Sequence, residues 1–530
     1  MMKNFLALFQ KGKRPDTEAK DEVAKLLQTN PEALSQFESA YKQLALDVEQ
    51  EGTFSTNSRQ AAEKAHTIPG EAGQNPYTED EMSTAEDMTE QIVQELLAQT
   101  TVYSFDGDLT QKVIPPRPAL PDGAKEITNE AIKALPIPLR PQLTGSLLCK
   151  DLDVPAYLTL LSYYKQAMDS KLSQKKRENA YGLFRQGLDI MDLDPVMYEM
   201  LDSNKNSMGY WLPKLVSACT GQSFFKIPAT KVVKVPLPLL QLTRLEYTSL
   251  TPVTLSIVDK WAMKAFDLDV RKDYFIKTGT YSSKFDFRNV KVTSEKEVRE
   301  LGEYLLYIHY QANQMAGPLV MPRPIVGTST TNEWVVRDFI PDTENNPTIY
   351  KGLPLHTEYR VFVDCETKRV IGFTPYWDPE GMKNRFGHQS DADNPHNIHD
   401  YMIFKAHEDT LMDRYYANID LVLQEVEKLL PGLDLPGQWS LDIMQNGEDF
   451  WLIDMGLAEQ STFRGVIPKA LRRPMKEEWL PNLGEITPPW DNMPSLMERT
   501  DGMESKARGD AMHINKIESD KDKKSGEQAT

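Results

Sequence analysis

Hydrophobic and polar positions follow different periods along this chain. Between Asn30 and Gln50, Leu34, Phe37, Tyr41, Leu44 and Val48 recur at spacings of three and four, which places one apolar stripe on a helix. Asn30 followed by Pro31 supplies an N-cap and a proline at the first turn. Two heptads are too few for a coiled coil, so the stripe predicts packing against a neighbouring helix. Residues 51–90 carry few large apolar groups among Ser, Thr, Glu, Gly and Gln, and read as a flexible linker; a short helix is predicted over Thr89–Gln99. Prolines cluster at 115–121 and again at 136–141 and mark a second irregular connection. From about Pro155 to Ala218 the period is helical. From Lys226 the run KVVKVPLPLLQL reads as extended, a helix follows near Val253–Phe266, and several strands come after it. The end, 491–530, is polar and charged and is expected to be disordered.

These patterns divide the chain into an N-terminal helical segment (1–50), an acidic linker with a short helix (51–113), a mostly helical region (114–225), an α+β domain (226–480) and a disordered tail (481–530). A length of 530 residues is room for two to four domains at about 100–200 residues each. The chain has 60 Lys and Arg against 78 Asp and Glu, a net charge of −18. That argues against a surface built to grip nucleic acid through its phosphates, and leaves room for a local basic pocket. Cys149, Cys219 and Cys365 are far apart and form no CxxC pair, so neither a disulfide framework nor a thiolate zinc site is expected. The apolar start, Phe5–Phe9, is too short for a secretory core, and no run approaches the roughly 18 apolar residues of a membrane span. The expected setting is the cytoplasm, without a membrane partner.

Four segments carry candidate chemistry. In DYFIKTGTYSSKF (273–285), Tyr274–Ile276 reads as a strand ending at Lys277. The small, hydroxyl-rich loop that follows, with Ser282 and Ser283, is closed by Lys284. Such a loop can turn N–H groups and hydroxyls toward an anion between two lysines; a polar surface hairpin is the competing reading. In NEWVVRDFIP (332–341), Trp334–Ile340 reads as a mostly apolar strand carrying Arg337 and Asp338, a solvated pair on local grounds. In HTEYRVFVD (356–364), alternation puts Glu358, Arg360 and Phe362 on one face and Tyr359, Val361 and Val363 on the other. Arg360 is either a surface cross-pair or a phosphate-binding guanidinium held by a carboxylate.

The fourth, WSLDIMQNGEDFWLIDMG (439–456), is the most informative. Two apolar strands flank Asn446-Gly447, a hairpin signal. Each strand carries one aspartate in apolar company, Asp442 and Asp454, and buried carboxylates are costly unless paired or bound to a cation. A two-residue turn at Asn446-Gly447 leaves them on opposite faces, whereas a three-residue loop with a glycine bulge puts them directly across from each other. Two facing carboxylates about 5 Å apart repel unless a divalent cation sits between them. The histidines His388, His396, His399 and His407 lie in loop-like sequence and read as a substrate-facing loop or surface rather than a zinc site.

The order of these segments resembles the ATP-grasp superfamily. The chain looks most like the branch holding the eukaryotic cell-division-cycle protein that assembles an initiation factor, together with phage-encoded ligase-like proteins. The resemblance covers roughly 250–470. It implies an α+β module clasping ATP between two lobes, behind a mostly helical N-terminal region. It implies that Lys277, Ser282, Ser283, Lys284, Val335, Val336, Arg337, Asp338, Phe339, Glu358 and Arg360 contact ATP, with Lys284 and Arg360 catalytic. It implies that Asp442 and Asp454 hold Mg²⁺. The reaction implied is ATP-dependent joining of a carboxylate to an amine through an acyl phosphate, with a peptide or protein among the candidate substrates. A non-catalytic ATP-binding assembly factor or a phage-associated protein is the alternative. One departure stands out: the branch places an Asn two residues after the second acid as a third metal ligand, and here that position is Gly456. Water or nearby Glu459 are the candidates to fill the shell.

Overall fold

The computed structural model describes residues 17–50, 77–110, 117–118, 129–141, scattered positions from 162 to 183, and 201–202 and 204–243. It continues through 250–284, 290–315, 331–350, 352–386 and 395–473. His388, Cys149, the 51–76 stretch and the 491–530 tail lie outside these residues, as does most of the 155–200 helical pattern.

The labelled helices are α1 (Thr17–Thr29), α2 (Pro31–Gln50), α3 (Glu79–Ala98), α4 (Met208–Cys219) and α5 (Leu237–Leu242). Then come α6 (Pro252–Ala265), α7 (Leu301–Met315), α8 (Pro379–Phe386) and the 35-residue α9 (Pro395–Leu429). The strands are β1 (Thr101–Phe105), β2 (Arg117–Pro118), β3 (Phe225–Lys226), β4 (Thr230–Lys234), β5 (Tyr274–Thr278) and β6 (Lys291–Val292). They continue with β7 (Glu333–Asp338), β8 (Thr348–Ile349), β9 (Leu353–Pro354), β10 (Thr357–Asp364), β11 (Arg369–Pro375), β12 (Gln438–Asn446) and β13 (Asp449–Leu457).

These elements make a mixed α+β fold, as expected. A six-stranded antiparallel sheet runs β2-β1-β4-β7-β5-β6, and a five-stranded sheet runs β11-β10-β12-β13-β3, parallel only at β13–β3. One core packs α3, α6 and α7 on one face of the six-stranded sheet, through Leu96, Trp261, Leu305, Trp334 and Val336. On the other face, Val232 and Val335 meet Trp211 of α4, Tyr359 and Trp439 of the five-stranded sheet and Val422 of α9. A third cluster docks α1 and α2 onto α9 and against Tyr350 and Trp377. No helix among the described residues is long and apolar enough to cross a membrane.

Local signals account for several boundaries. The Asn30 carboxamide oxygen accepts from the Glu32 and Ala33 amides at 3.0 and 3.1 Å and caps α2 as the sequence implies. Phe37 and Tyr41 of the predicted stripe are buried against α9. Three expectations change. The helix expected over Thr89–Gln99 begins ten residues earlier, because Thr78 and Glu81 form a reciprocal capping box. The run PLPLLQL, read as extended, is helical from Leu237, with Pro238 tolerated in the first turn. Residues 101–105, assigned to the linker, form β1 between β2 and β4 in the six-stranded sheet, so the α+β body begins well before residue 226.

Candidate functional site

The ends of β5, β7, β10, β12 and β13 open onto one cleft of about 240 Å³ between the two sheets. Ten of the sequence-predicted residues line it: Lys277, Ser282, Lys284, Arg337, Asp338, Phe339, Glu358, Arg360, Asp442 and Asp454. Three do not. Val335 and Val336 point into the cores on either face of their sheet, and buried Ser283 donates to the Gln311 carboxamide. Ser283 also takes a left-handed φ of 54°, which turns the chain so that Ser282 and Lys284 reach the cleft.

Asp442 and Asp454 face each other on neighbouring strands, as the three-residue-loop register predicts. The route is different. Asn446 pairs with Asp449, so the turn is the two-residue Gly447-Glu448, with Gly447 at φ +63°. The extra residue is Ile453, a bulge inside β13: Ile443 pairs with Leu452, and Asp442 with Asp454. Both Ile453 and Asp454 line the cleft as a result. Had the ladder run on unbroken, Ile453 would sit opposite Asp442 and Asp454 would turn to the other face.

The repulsion expected between the two carboxylates is relieved by cations of the chain itself. Arg360, the direct cross-strand partner of Asp442, donates from Nε and Nη2 to its two oxygens at 2.8 and 2.7 Å. Its Nη1 donates to Thr462. Lys277 reaches over from β5 and donates to both Asp454 oxygens at 3.0 and 2.8 Å. Arg337 is not paired with Asp338, which bonds Lys272 at 3.0 Å instead. Its Nε donates to Thr230 at 3.0 Å and its Nη1 to the Ile453 carbonyl that the bulge exposes. Burial pushes the Arg337 guanidinium down to about 10, and its Nη2 is buried with no hydrogen-bond partner.

Glu358 is buried beside Lys284 and Asp442. Desolvation pushes its carboxyl up to about 7 against the attraction of Lys284 and Arg360, and its Oε2 has no partner. Burial disfavours the Lys284 ammonium, yet Tyr376, Glu358 and Asp442 hold it above lysine's usual range. Its Nζ lies 4.6 Å from the Tyr376 ring centre and 5.3 Å from that of Trp377, and the Arg360 guanidinium lies 4.9 Å from Tyr376.

The loop between the two lysines does not cradle an anion with its first amides. Gly279 N–H donates to the Glu333 carbonyl at 2.9 Å and Tyr281 N–H to the Thr278 hydroxyl at 3.0 Å. Four cations and four carboxylates share the lining with an apolar flank that includes Phe275, Phe339, Ile340, Tyr350 and Met444.

Neither a family model nor a curated protein matches the chain. The chain is similar to solved structures of Cdc123 from Schizosaccharomyces pombe. Against the C-terminally truncated form the identity is 14% and the TM-score 0.30, over 54% of this chain and 97% of that one. Against the other Cdc123 structure the identity is 14% and the TM-score 0.29, over 50% and 88%.

The residues present fit a divalent cation by donor type, since two carboxylates on facing strand positions are the hard oxygen ligands that Mg²⁺ takes. Gly456 offers no third side chain. A Cβ there would lie 3.2 Å from the Asn206 carboxamide oxygen and 3.4 Å from the Ser461 hydroxyl, so the space beside the aspartates is already polar and filled. That Asn206 oxygen accepts from Leu457 N–H at 2.8 Å. Glu459 lies near Arg464 at 3.4 Å.

A neighbouring set, Asp342, Glu344 and His356, of which His356 also lines the cleft, brings its ligating atoms within 4.8 Å of one another. It is internally satisfied: Asp342 accepts from the Glu344 and Asn346 amides, and Glu344 pairs with Arg414 at 2.5 Å. The three described histidines of the predicted loop are helical. His396, His399 and His407 ride on α9, where the His399 nitrogens meet Asp400 and Glu38 at 2.9 Å each and its ring stacks on Tyr41 at 3.8 Å.

Sequence reasoning missed Tyr376, Trp377, Thr462 and the Ile453 carbonyl. The aromatic pair had a signal, since it closes the strand that follows the Glu-Tyr-Arg strand. A carbonyl exposed by a bulge has none at the level of residue type.

Proposed function

We propose that the cleft binds ATP with a divalent cation, magnesium by donor type, and that the chain is an ATP-dependent carboxylate–amine ligase. The observation that carries this reading is the convergence of Lys277, Lys284, Arg337 and Arg360 with Asp442 and Asp454 on one cleft. They come from segments up to 177 residues apart in sequence. Arg337 Nη2 is a buried donor without an acceptor, which a ligand heteroatom relieves. Phe339, Ile340 and Met444 give a flat base an apolar flank. Lys277, Lys284 and Arg360 neutralise phosphate oxygens and hold the reacting groups in line, which is what protein groups contribute to phosphoryl transfer. The cation, when bound, screens the charge that develops on the transferring phosphoryl group. Glu358, with a free oxygen and a carboxyl near neutrality, holds or releases a proton at Oε2 beside Lys284.

Titration calorimetry with ATP and Mg²⁺ tests binding. Arg337→Met is expected to weaken it by about 1–3 kcal/mol, the scale of a hydrogen bond to a charged group or of leaving a buried donor unsatisfied. ADP release in the presence of amino acids and peptides tests turnover. Gly456 favours a second reading, an ATP-binding assembly factor without turnover, because the space for a third side-chain ligand is filled by Asn206. ATP binding with no ADP release against any acceptor would select it.

A further inference from the structure

The two facing carboxylates are covered in unequal ways. Arg360 holds Asp442 from the adjacent strand of the same sheet, and its third nitrogen is tied to Thr462. That guanidinium is fixed on every side. Lys277 reaches Asp454 from the other sheet through a side chain only 4% exposed, and its ammonium bonds nothing but this carboxylate among the described residues, while Asp454 keeps 39% of its side chain exposed to arriving ligands. A divalent cation arriving from water therefore meets two carboxylates and two cations, a set whose charges sum to zero, and gains little by entering.

A polyphosphate alters this balance. Its oxygens accept from an ammonium as well as a carboxylate does, and Lys284 and Arg337 stand on the same cleft to hold the rest of its charge. Once a phosphate takes the Lys277 ammonium, Asp454 is uncovered beside Asp442. We infer that Lys277 is an exchange group: it covers Asp454 until a phosphate-bearing ligand takes its ammonium, so that phosphate and divalent cation bind as a pair and the cation does not bind alone. This rests on reading the cleft as a polyphosphate site. The coupling is reciprocal, since whatever the phosphate adds to cation affinity the cation adds to phosphate affinity.

The test uses Mn²⁺ chloride as the metal alone, with free Mn²⁺ counted by electron paramagnetic resonance. Wild type without nucleotide is expected to show no site tighter than its general acidic surface. Lys277→Met is expected to gain one site, tighter by about 5–150-fold, and Lys277→Met with Asp454→Asn to lose it again. The same Lys277→Met change is expected to weaken a non-hydrolysable ATP analogue with Mg²⁺, so one substitution moves the two ligands in opposite directions. Lys277→Gln keeps a polar stem in the slot and serves if the methionine variant melts early. A wild type that binds Mn²⁺ alone as tightly as Lys277→Met overturns the exchange, even where ATP binds. If ATP fails to bind and tripolyphosphate with Mn²⁺ raises the melting temperature more than the two separate rises combined, the exchange stands and the nucleotide reading falls.

Discussion

Arg360 and Asp442 sit directly opposite each other within the five-stranded sheet, with side chains 10% and 9% exposed, whereas Lys277 of the six-stranded sheet reaches across the cleft to an Asp454 that is 39% exposed. Both are ion pairs with two short hydrogen bonds. The first lies inside a hydrogen-bonded ladder, and neither partner has water to fall back on. The second spans two sheets that, at this point, are otherwise joined through Arg337 and the Ile453 carbonyl. One pair is built into the fold, and the other spans the gap that a ligand must enter.

The largest expected effect tests that contrast directly. Arg360→Met leaves the buried Asp442 without a cation and is expected to cost about 3–5 kcal/mol. Lys277→Met removes an ammonium whose side chain is only 4% exposed but leaves an Asp454 that water reaches, and is expected to cost about 1.5–3 kcal/mol. Urea unfolding of both variants without ligand decides it, and equal losses would show that the two pairs are alike.

Glu358 comes next. Its carboxyl is pushed up to about 7 from 4.5 by burial, so the folded state favours the protonated form. Its contribution to stability is full below about pH 4.5 and is lost as pH rises through 7. Wild type is expected to lose roughly 3 kcal/mol against Glu358→Gln between pH 4.5 and 8, since each tenfold difference in proton affinity is worth about 1.4 kcal/mol. Parallel pH profiles of the two proteins would remove Glu358 from the five-stranded sheet's buried ionic set.

On the six-stranded side, Gly279 has no room for a methyl group. A Cβ there would lie 2.7 Å from Glu333 Oε2 and from the Thr331 hydroxyl. Gly279→Ala is expected to cost about 1–3 kcal/mol by overpacking and to displace Lys277 as well. A thermal melt and an ATP titration read the two effects separately. An unchanged melt means that the loop yields freely.

The smallest effect lies outside both sheets. Burial opposes the charged form of His399, but hydrogen bonds to Asp400 and Glu38 outweigh it and raise its affinity for a proton. The stabilising contribution is full below about pH 6.5 and fades as pH rises through the higher folded value. The gap in melting temperature between wild type and His399→Phe is expected to shrink from pH 6 to pH 9. The gap is worth about 1 kcal/mol, the net scale of an ordinary hydrogen bond. A constant gap would mean that the docking of α2 on α9 is purely apolar.

Much of the cleft is legible in the sequence because strand alternation is local. It puts Glu358 and Arg360 on one face of β10 and sends Tyr359, Val361 and Val363 to the core. The bulge is not legible at its true place: Phe450, Trp451, Leu452 and Ile453 are all apolar, so residue type does not mark the skip between Leu452 and Met455 where Ile453 is inserted, and the expected place for the extra residue is the turn instead. Sheet partners were not legible. Nothing local in Thr101–Phe105 announces pairing with Thr230–Lys234 across some 125 residues. The same holds for Arg337, which reads as half of a solvated pair until the other sheet buries it under the Ile453 carbonyl.

The bulge makes the β12–β13 hairpin a ruler with two scales. The half near the tip is held in one phase by Phe450 and Leu452, and the half beyond it in another by Met455 and Leu457. The tip is tied down as well: the Gly447 carbonyl accepts from Arg414 at 2.7 Å, and the Asn446 carboxamide oxygen accepts from the Thr343 hydroxyl at 2.8 Å. Removing Ile453 keeps both aspartates and every core residue, yet takes away the carbonyl that Arg337 holds. For an engineer, the residue to leave alone is the single one six positions beyond Gly447, whose loss takes away the hold that Arg337 has on the opposite sheet.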